Sequence, residues 1–202
     1  MKKFITLALA LCMALSTSIC ASAAEVNTDG GSGSTPVYLS STEDGTLEGE
    51  PSATAMSVTV PTALPMAMSQ TGDVTTADNC QIINNSYGAV RVKSVNITTA
   101  NGWRLTSFDD KSTLASEKVD SNKLGFALSI GGGTQVMTDT SDESSQYLIS
   151  APIAGCYMSG IGNTSGNAVS VDYEAIVTPL SSAVTNANIA NVVFVIEWDT
   201  AA

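Results

Sequence analysis

The chain has 202 residues, with 8 Lys and Arg against 19 Asp and Glu, no histidine and 5% aromatic residues. Without histidine there is no Ser-His-Asp or Cys-His relay and no imidazole ligand for a metal, which excludes many hydrolase mechanisms. A formal charge of −11 argues against nucleic acid and anionic lipid as partners, because both are held by a basic face.

The chain opens with a basic pair, Lys2 and Lys3, followed by an apolar run with threonine over positions 4–15. Ala21-Ser22-Ala23 then offers small residues where a signal peptidase requires them. Residues 1–23 are therefore expected to be a bacterial-style export signal, cleaved after Ala23 or Ala24. The apolar run is short for a permanent membrane anchor. Cys20 invites comparison with lipidated precursors, but Ile19 stands before it where a small residue is expected, and Thr17 where leucine is usual. Cleavage leaves six basic residues against nineteen acids, a net charge of −13. No membrane insertion is expected after cleavage, and the protein is expected outside the cell.

Residues 24–52 carry six acids and no base, and include Gly30-Gly31-Ser32-Gly33-Ser34. This is the composition of a flexible, solvated tail or linker. Within it, Pro36-Val37-Tyr38-Leu39-Ser40 has two readings: part of that linker, or a strand that pairs with its own domain or with a neighbour's sheet edge.

The body, residues 53–202, reads as short strands separated by Gly, Asn and Ser turns. Residues 56–60 alternate and stop at Pro61, and 64–68 form a second short strand. Residues 81–84 run into the turn at Asn85-Ser86-Tyr87-Gly88. Residues 89–97 alternate cleanly, with Val and Ile on one side and Arg91 and Lys93 on the other. The Asn101-Gly102 turn leads into 102–107, and a short polar stretch at 113–119 is the best helix candidate. Residues 124–130 end at Gly131-Gly132-Gly133, read as a hairpin turn into 135–138. Residues 146–149 and 155–158 follow, then a long alternating strand over 168–178. Residues 191–198 are nearly continuously apolar, as expected of a central strand covered on both faces. Eight to ten such strands predict an all-β fold, an antiparallel β-sandwich or jelly-roll-like domain with a flexible N-terminal tail.

Few local features suggest chemistry. Asp109-Asp110 and the stretch from Asp139 to Asp142 and Glu143 are acidic turns that offer oxygen ligands to calcium, but without the spacing of an EF-hand; solvated loops are the simpler reading. No serine has a base, the aromatics are too few to furnish a glycosidase groove, and the glycines at 131–133 lack the context of a phosphate loop. No cofactor, no metal and no enzymatic activity are expected. Once the leader is removed, Cys80 and Cys156 remain. An oxidising compartment permits a disulfide between them, which would stabilise the fold by about 4 kcal/mol; two buried thiols are the alternative.

Trp103 and Trp198 are the only tryptophans. Each is suited either to a core that locks two sheets together or to stacking on a sugar ring. Trp103 shares a strand face with Leu105, and Trp198 with Ile196. The run Gly102-Trp103-Arg104-Leu105-Thr106 after an Asn-Gly turn, with Trp198 in a final apolar strand, resembles the signature of WxL domains, cell-surface modules of Gram-positive bacteria. The likeness spans about residues 56–202. In that family the distal motif has Tyr, Leu and a second Leu where Val192, Ile196 and Thr200 stand here, so this chain resembles a divergent relative. The resemblance implies non-catalytic, non-covalent attachment to peptidoglycan, with Trp103, Leu105 and Trp198 as the binding residues. The expected protein is thus a wall-associated surface module with peptidoglycan or other surface proteins as partners. A structural subunit of an extracellular or biofilm fibre, self-associating by N-terminal strand addition, is the alternative.

Overall fold

A computed structural model describes residues 23–39 and 55–200. Positions 1–22 of the expected leader and 40–54 of the expected tail lie outside the described residues. In chain order the strands are β1 (Ala23–Glu25), β2 (Ser32–Leu39), β3 (Val58–Pro61), β4 (Leu64–Met68), β5 (Val74–Thr76), β6 (Gln81–Asn84) and β7 (Val90–Thr99). There follow β8 (Arg104–Thr106), the helix α1 (Lys111–Ala115), β9 (Lys123–Ile130), β10 (Val136–Met137), β11 (Ser145–Ile149), β12 (Tyr157–Met158), β13 (Ala168–Val177) and β14 (Ala187–Trp198). The protein is nearly all β and sandwich-like, as expected. No helix among the described residues is long and apolar enough to cross a membrane.

The strands form two seven-stranded sheets. The first runs β1-β3-β6-β13-β9-β10, with β8 also on β9, and the second runs β11-β7-β14-β2-β4-β5, with β12 also on β7. Most ladders are antiparallel, but β2 runs parallel to β4 and β8 parallel to β9.

Period-two alternation decides which side chains meet between the sheets. In β7 it buries Val90 and Val92 and then, after a bulge at Lys93 shifts the phase, Val95 and Ile97; in β14 it buries Ala190, Val192, Phe194 and Ile196. Across from them, Leu124, Phe126, Leu128 and Ile130 of β9 pair in register with Val177, Ala175, Tyr173 and Val171 of β13. All of these belong to one continuous core. Tyr173 ties the layers together. Its ring stacks on Phe126 with centroids 6.0 Å apart. Its hydroxyl donates to the Pro65 carbonyl of β4 at 2.5 Å and accepts from the Ala77 amide at 3.1 Å.

Local chemistry sets the turns. Gly131 and Gly132 have φ of 56° and 69°, values that suit glycine, and the Gly133 amide closes the turn on the Ile130 carbonyl at 2.9 Å. This is the hairpin expected between β9 and β10. The helix begins earlier than its sequence suggests, because the Asp110 carboxylate caps it by accepting from the Ser112 amide at 2.9 Å.

Two expectations are corrected. First, the tail is not all linker: β1 pairs with β3, and β2 lies inside the second sheet, antiparallel to β14 and parallel to β4. The Gly-Ser-Gly stretch that resembles a linker supplies small residues where the strand crosses β3. A Cβ on Gly33 would come within 2.6 Å of the Val60 side chain. Second, β14 is central but covered on one face only. Asn191, Val193, Val195 and Glu197 are half-buried on the outward side. The strand covered on both faces is β9, buried throughout Leu124–Leu128, where Gly125 lies under Ile176 and the Ser107 carbonyl.

Candidate functional site

The expected binding residues do not form one surface. Trp103 follows a turn in which Asn101 and Gly102 have φ of 51° and 81°, the left-handed pair that a type I′ turn requires. The Trp103 amide closes it on the Ala100 carbonyl at 3.0 Å. The turn carries the chain from β7 in the second sheet to β8 in the first, so the residues just beyond it enter the space between the layers. Trp103 is 9% exposed and Leu105 1%; both belong to the core. A stacking or wall-contact role for these two is therefore corrected to a packing role.

Trp198 stands opposite Val90 at the far end of β14, whereas the Trp103 turn adjoins the end at which Ala190 meets Thr99. Eight residues of strand separate those ends, roughly 27 Å at about 3.4 Å per residue. Trp198 is half-buried and packs over Gly88, where an added Cβ would lie 2.9 Å from its ring. Its backbone amide donates to the Asp29 carboxylate at 2.8 Å.

The cysteine expectation is corrected as well. Cys156 is buried and free, and burial pushes its thiol up from its ordinary range. Because Cys156 is free, it does not form the expected pair with Cys80.

The acidic turns are occupied by their own backbone. The Asp139 carboxylate accepts from the Ser141 amide at 2.7 Å, and that of Asp142 from the Ser144 amide at 2.7 Å and the Ser145 amide at 3.1 Å. Hydrogen bonding with the side chains of Ser141 and Ser144 first, and then with these backbone amides, holds both carboxyls below the ordinary carboxylate range. Among the described residues no group of three or more His, Cys, Asp or Glu is arranged to hold a metal ion.

Two features were missed by the sequence reading. A cleft of about 250 Å³ on the outer side of the first sheet is lined by Asp78, Asp172, Glu174, Gln135 and Ser129. Asp172 and Glu174 are the outward residues of β13, paired with Ser129 and Ala127 of β9. The alternation of β13 placed them on that face, but nothing local placed Asp78 or Gln135 beside them.

The second feature is the outward face of β7 and its neighbours. Tyr157 of β12 lies opposite Arg91, and Tyr147 of β11 opposite Asn96. They are 48% and 70% exposed and roughly 17 Å apart along the strand at about 3.4 Å per residue. On the β14 side of β7 the Glu197 carboxylate binds Arg91 at 2.8 Å and Lys93 at 3.0 Å, and Asp199 reaches Arg91 at 3.4 Å. Hydrogen bonds with Lys93 first, and then with Arg91, hold the Glu197 carboxyl below the ordinary range, and Glu197 in turn raises Arg91. The result is an open face with two aromatic rings and a cluster in which two cations meet two carboxylates.

No family model matches the chain, and neither the curated proteins nor the solved structures hold a match.

Proposed function

We propose that the chain is a non-catalytic, exported surface protein whose β-sandwich associates with peptidoglycan in the wall of a Gram-positive bacterium. The observation that carries this reading is the outward face of β12, β7 and β11, where Tyr157 and Tyr147 are exposed on a rigid sheet. Aromatic rings held this way offer flat apolar area with a hydroxyl at the tip, at low entropic cost on binding. The export-type N-terminus, a basic pair before a short apolar run and Ala21-Ser22-Ala23, supports a location outside the cell. Trp103, Leu105 and Trp198 support the sandwich and not the contact.

The test is sedimentation with purified sacculi. The protein pellets saturably, and Tyr147→Ala combined with Tyr157→Ala abolishes pelleting while leaving the thermal midpoint unchanged. Pelleting that survives the double substitution would refute this assignment of the face, and no pelleting by the unaltered protein would refute wall association.

A second reading is favoured by the placement of β2. An N-terminal strand lodged between two strands of the body is what a fibre subunit requires if it assembles by strand addition. Growth of large, regular assemblies with concentration, seen on a sizing column and by electron microscopy, supports this reading; a monomer at every concentration refutes it.

A further inference from the structure

We propose that residues 23–39 are an exchangeable element, and that in an assembly this element of one copy fills the gap between β14 and β4 of the next. The inference rests on the fibre-subunit reading and names its joint.

The element binds the body as one piece, through both sheets. β1 pairs with β3 at the edge of the first sheet, and β2 enters the second. Val26 between them is 3% exposed, and its amide donates to the Val58 carbonyl at 3.1 Å. The intervening turn is fastened to the far end of β14: the Asp29 carboxylate receives the Trp198 amide at 2.8 Å, and the Gly31 carbonyl the Ile196 amide at 2.9 Å. On its inner side the fully buried Thr35 donates its hydroxyl to the Pro61 carbonyl, and Gly33 passes against Val60. These contacts fix the register, and every one of them is made to a residue beyond position 54. A second copy presents the same partners.

The gap demands an occupant. Without β2, the edge of β14 opens beside Val192, Phe194 and Ile196, and that of β4 beside Leu64 and Met66, all fully or almost fully buried. Two unpaired edges over an apolar interior recruit a strand. The covalent connection does not dictate whose strand it is. Positions 40–54 join the element to the body, and fifteen residues reach roughly 50 Å at about 3.3 Å each. A body of this size is roughly 40 Å across, so the element reaches a neighbour's gap. Exchange conserves the contacts and alters only the chain entropy of closure, so concentration decides between the two states. Passed head to tail, the exchange leaves each end of the assembly with one free element or one open gap, which propagates.

Ser34 and Val193 are register partners across the joint and lie on the outward face. In a background with the native cysteines replaced by alanine, one preparation of the full chain carries Ser34→Cys, a second Val193→Cys, and a third both substitutions; each is treated after refolding with a short bis-maleimide. When the two single variants are unfolded together and refolded at rising concentration, a covalent species of twice the chain mass grows in. The double variant shifts from an internally linked monomer to a ladder over the same range. The proposal is overturned if the mixture yields no covalent dimer while the double variant links only within its own chain. It is overturned equally if the double variant does not link at all, because β2 then does not occupy the gap. Large assemblies without a link between 34 and 193 would refute this joint and leave the fibre reading standing. The absence of both assemblies and links would remove both.

Discussion

Replacing Tyr173 with Phe removes one oxygen from the interior and tests how the two sheets are joined. The side chain is 4% exposed and its ring lies 6.0 Å from that of Phe126; the substitution keeps both the burial and the stacking. What it removes is the hydroxyl that donates to the Pro65 carbonyl and accepts from the Ala77 amide. Ala77 is 7% exposed, so its amide loses its partner with little access to water. An orphaned buried group costs about 1–3 kcal/mol, and with the Pro65 carbonyl also affected the expected loss is about 2–3 kcal/mol. For a chain of this length that is a fall in Tm of roughly 5–10 °C, read by calorimetry.

The same oxygen supplies a second readout. Burial raises the Tyr173 pKa above its ordinary value, with Asp78 acting in the same direction and the Ala77 amide opposing. The folded state therefore holds this proton more tightly than the unfolded chain. The resulting stability is fully present below about pH 10. It is lost as pH rises beyond that, at about 1.4 kcal/mol per pH unit. The Cys156 thiol, raised by burial, has the same sign, so the comparison is best made in a Cys156→Ala background. Tyr173→Phe abolishes this alkaline slope. A Tm within about 1 °C of the parent, or an unchanged slope, would refute the argument.

Four further outcomes are expected. Trp103→Ala empties a core position at the crossing between the sheets and costs about 3–5 kcal/mol by chemical denaturation, so any loss of binding in this variant should track its loss of fold. Gly88→Ala pushes the Trp198 ring aside, costs about 1–3 kcal/mol and shifts the tryptophan emission; unchanged emission would contradict the packing described. Glu197→Gln costs less than about 1 kcal/mol, because its cationic partners are partly exposed. Its carboxyl is depressed in the fold, so the parent's extra stability is present at neutral pH and fades in acid, and denaturation curves of the two proteins should converge at low pH. Finally, peptide mapping after alkylation should find Cys156 modified only in unfolded protein; rapid native labelling would show that it is not buried as described.

The alternating strands were legible because their inward residues are bulky and their turns are marked. β4 and β6 begin and end where the sequence places them, and β7, β9 and β13 differ from expectation by a residue or two at their ends. β2 was not legible at its true extent, because its first residues are Ser and Gly. Gly33 is small because Val60 of the opposite sheet lies against it, a reason found only in three dimensions. The reading of Trp103 as a contact residue failed on a similar point. Strand parity shows which residues share a face, but not that the Asn-Gly turn carries that face into the interior. The exposed tyrosines were hidden differently: Tyr147 and Tyr157 are 10 residues apart in sequence and come onto one face only because β11 and β12 both dock on β7.

The pairing of β2 with β14 also sets a clock. During synthesis Leu39 leaves the ribosome 148 residues before Ala187, an interval of roughly 7–30 s at about 5–20 residues per second. Throughout that time β2 has no antiparallel partner in its own chain. Its eventual ladder closes one of the longest loops the molecule contains, the kind of contact that slows folding most. The second sheet is therefore completed only after synthesis has passed β14, and the nascent chain must keep β2 available and unaggregated until β14 arrives.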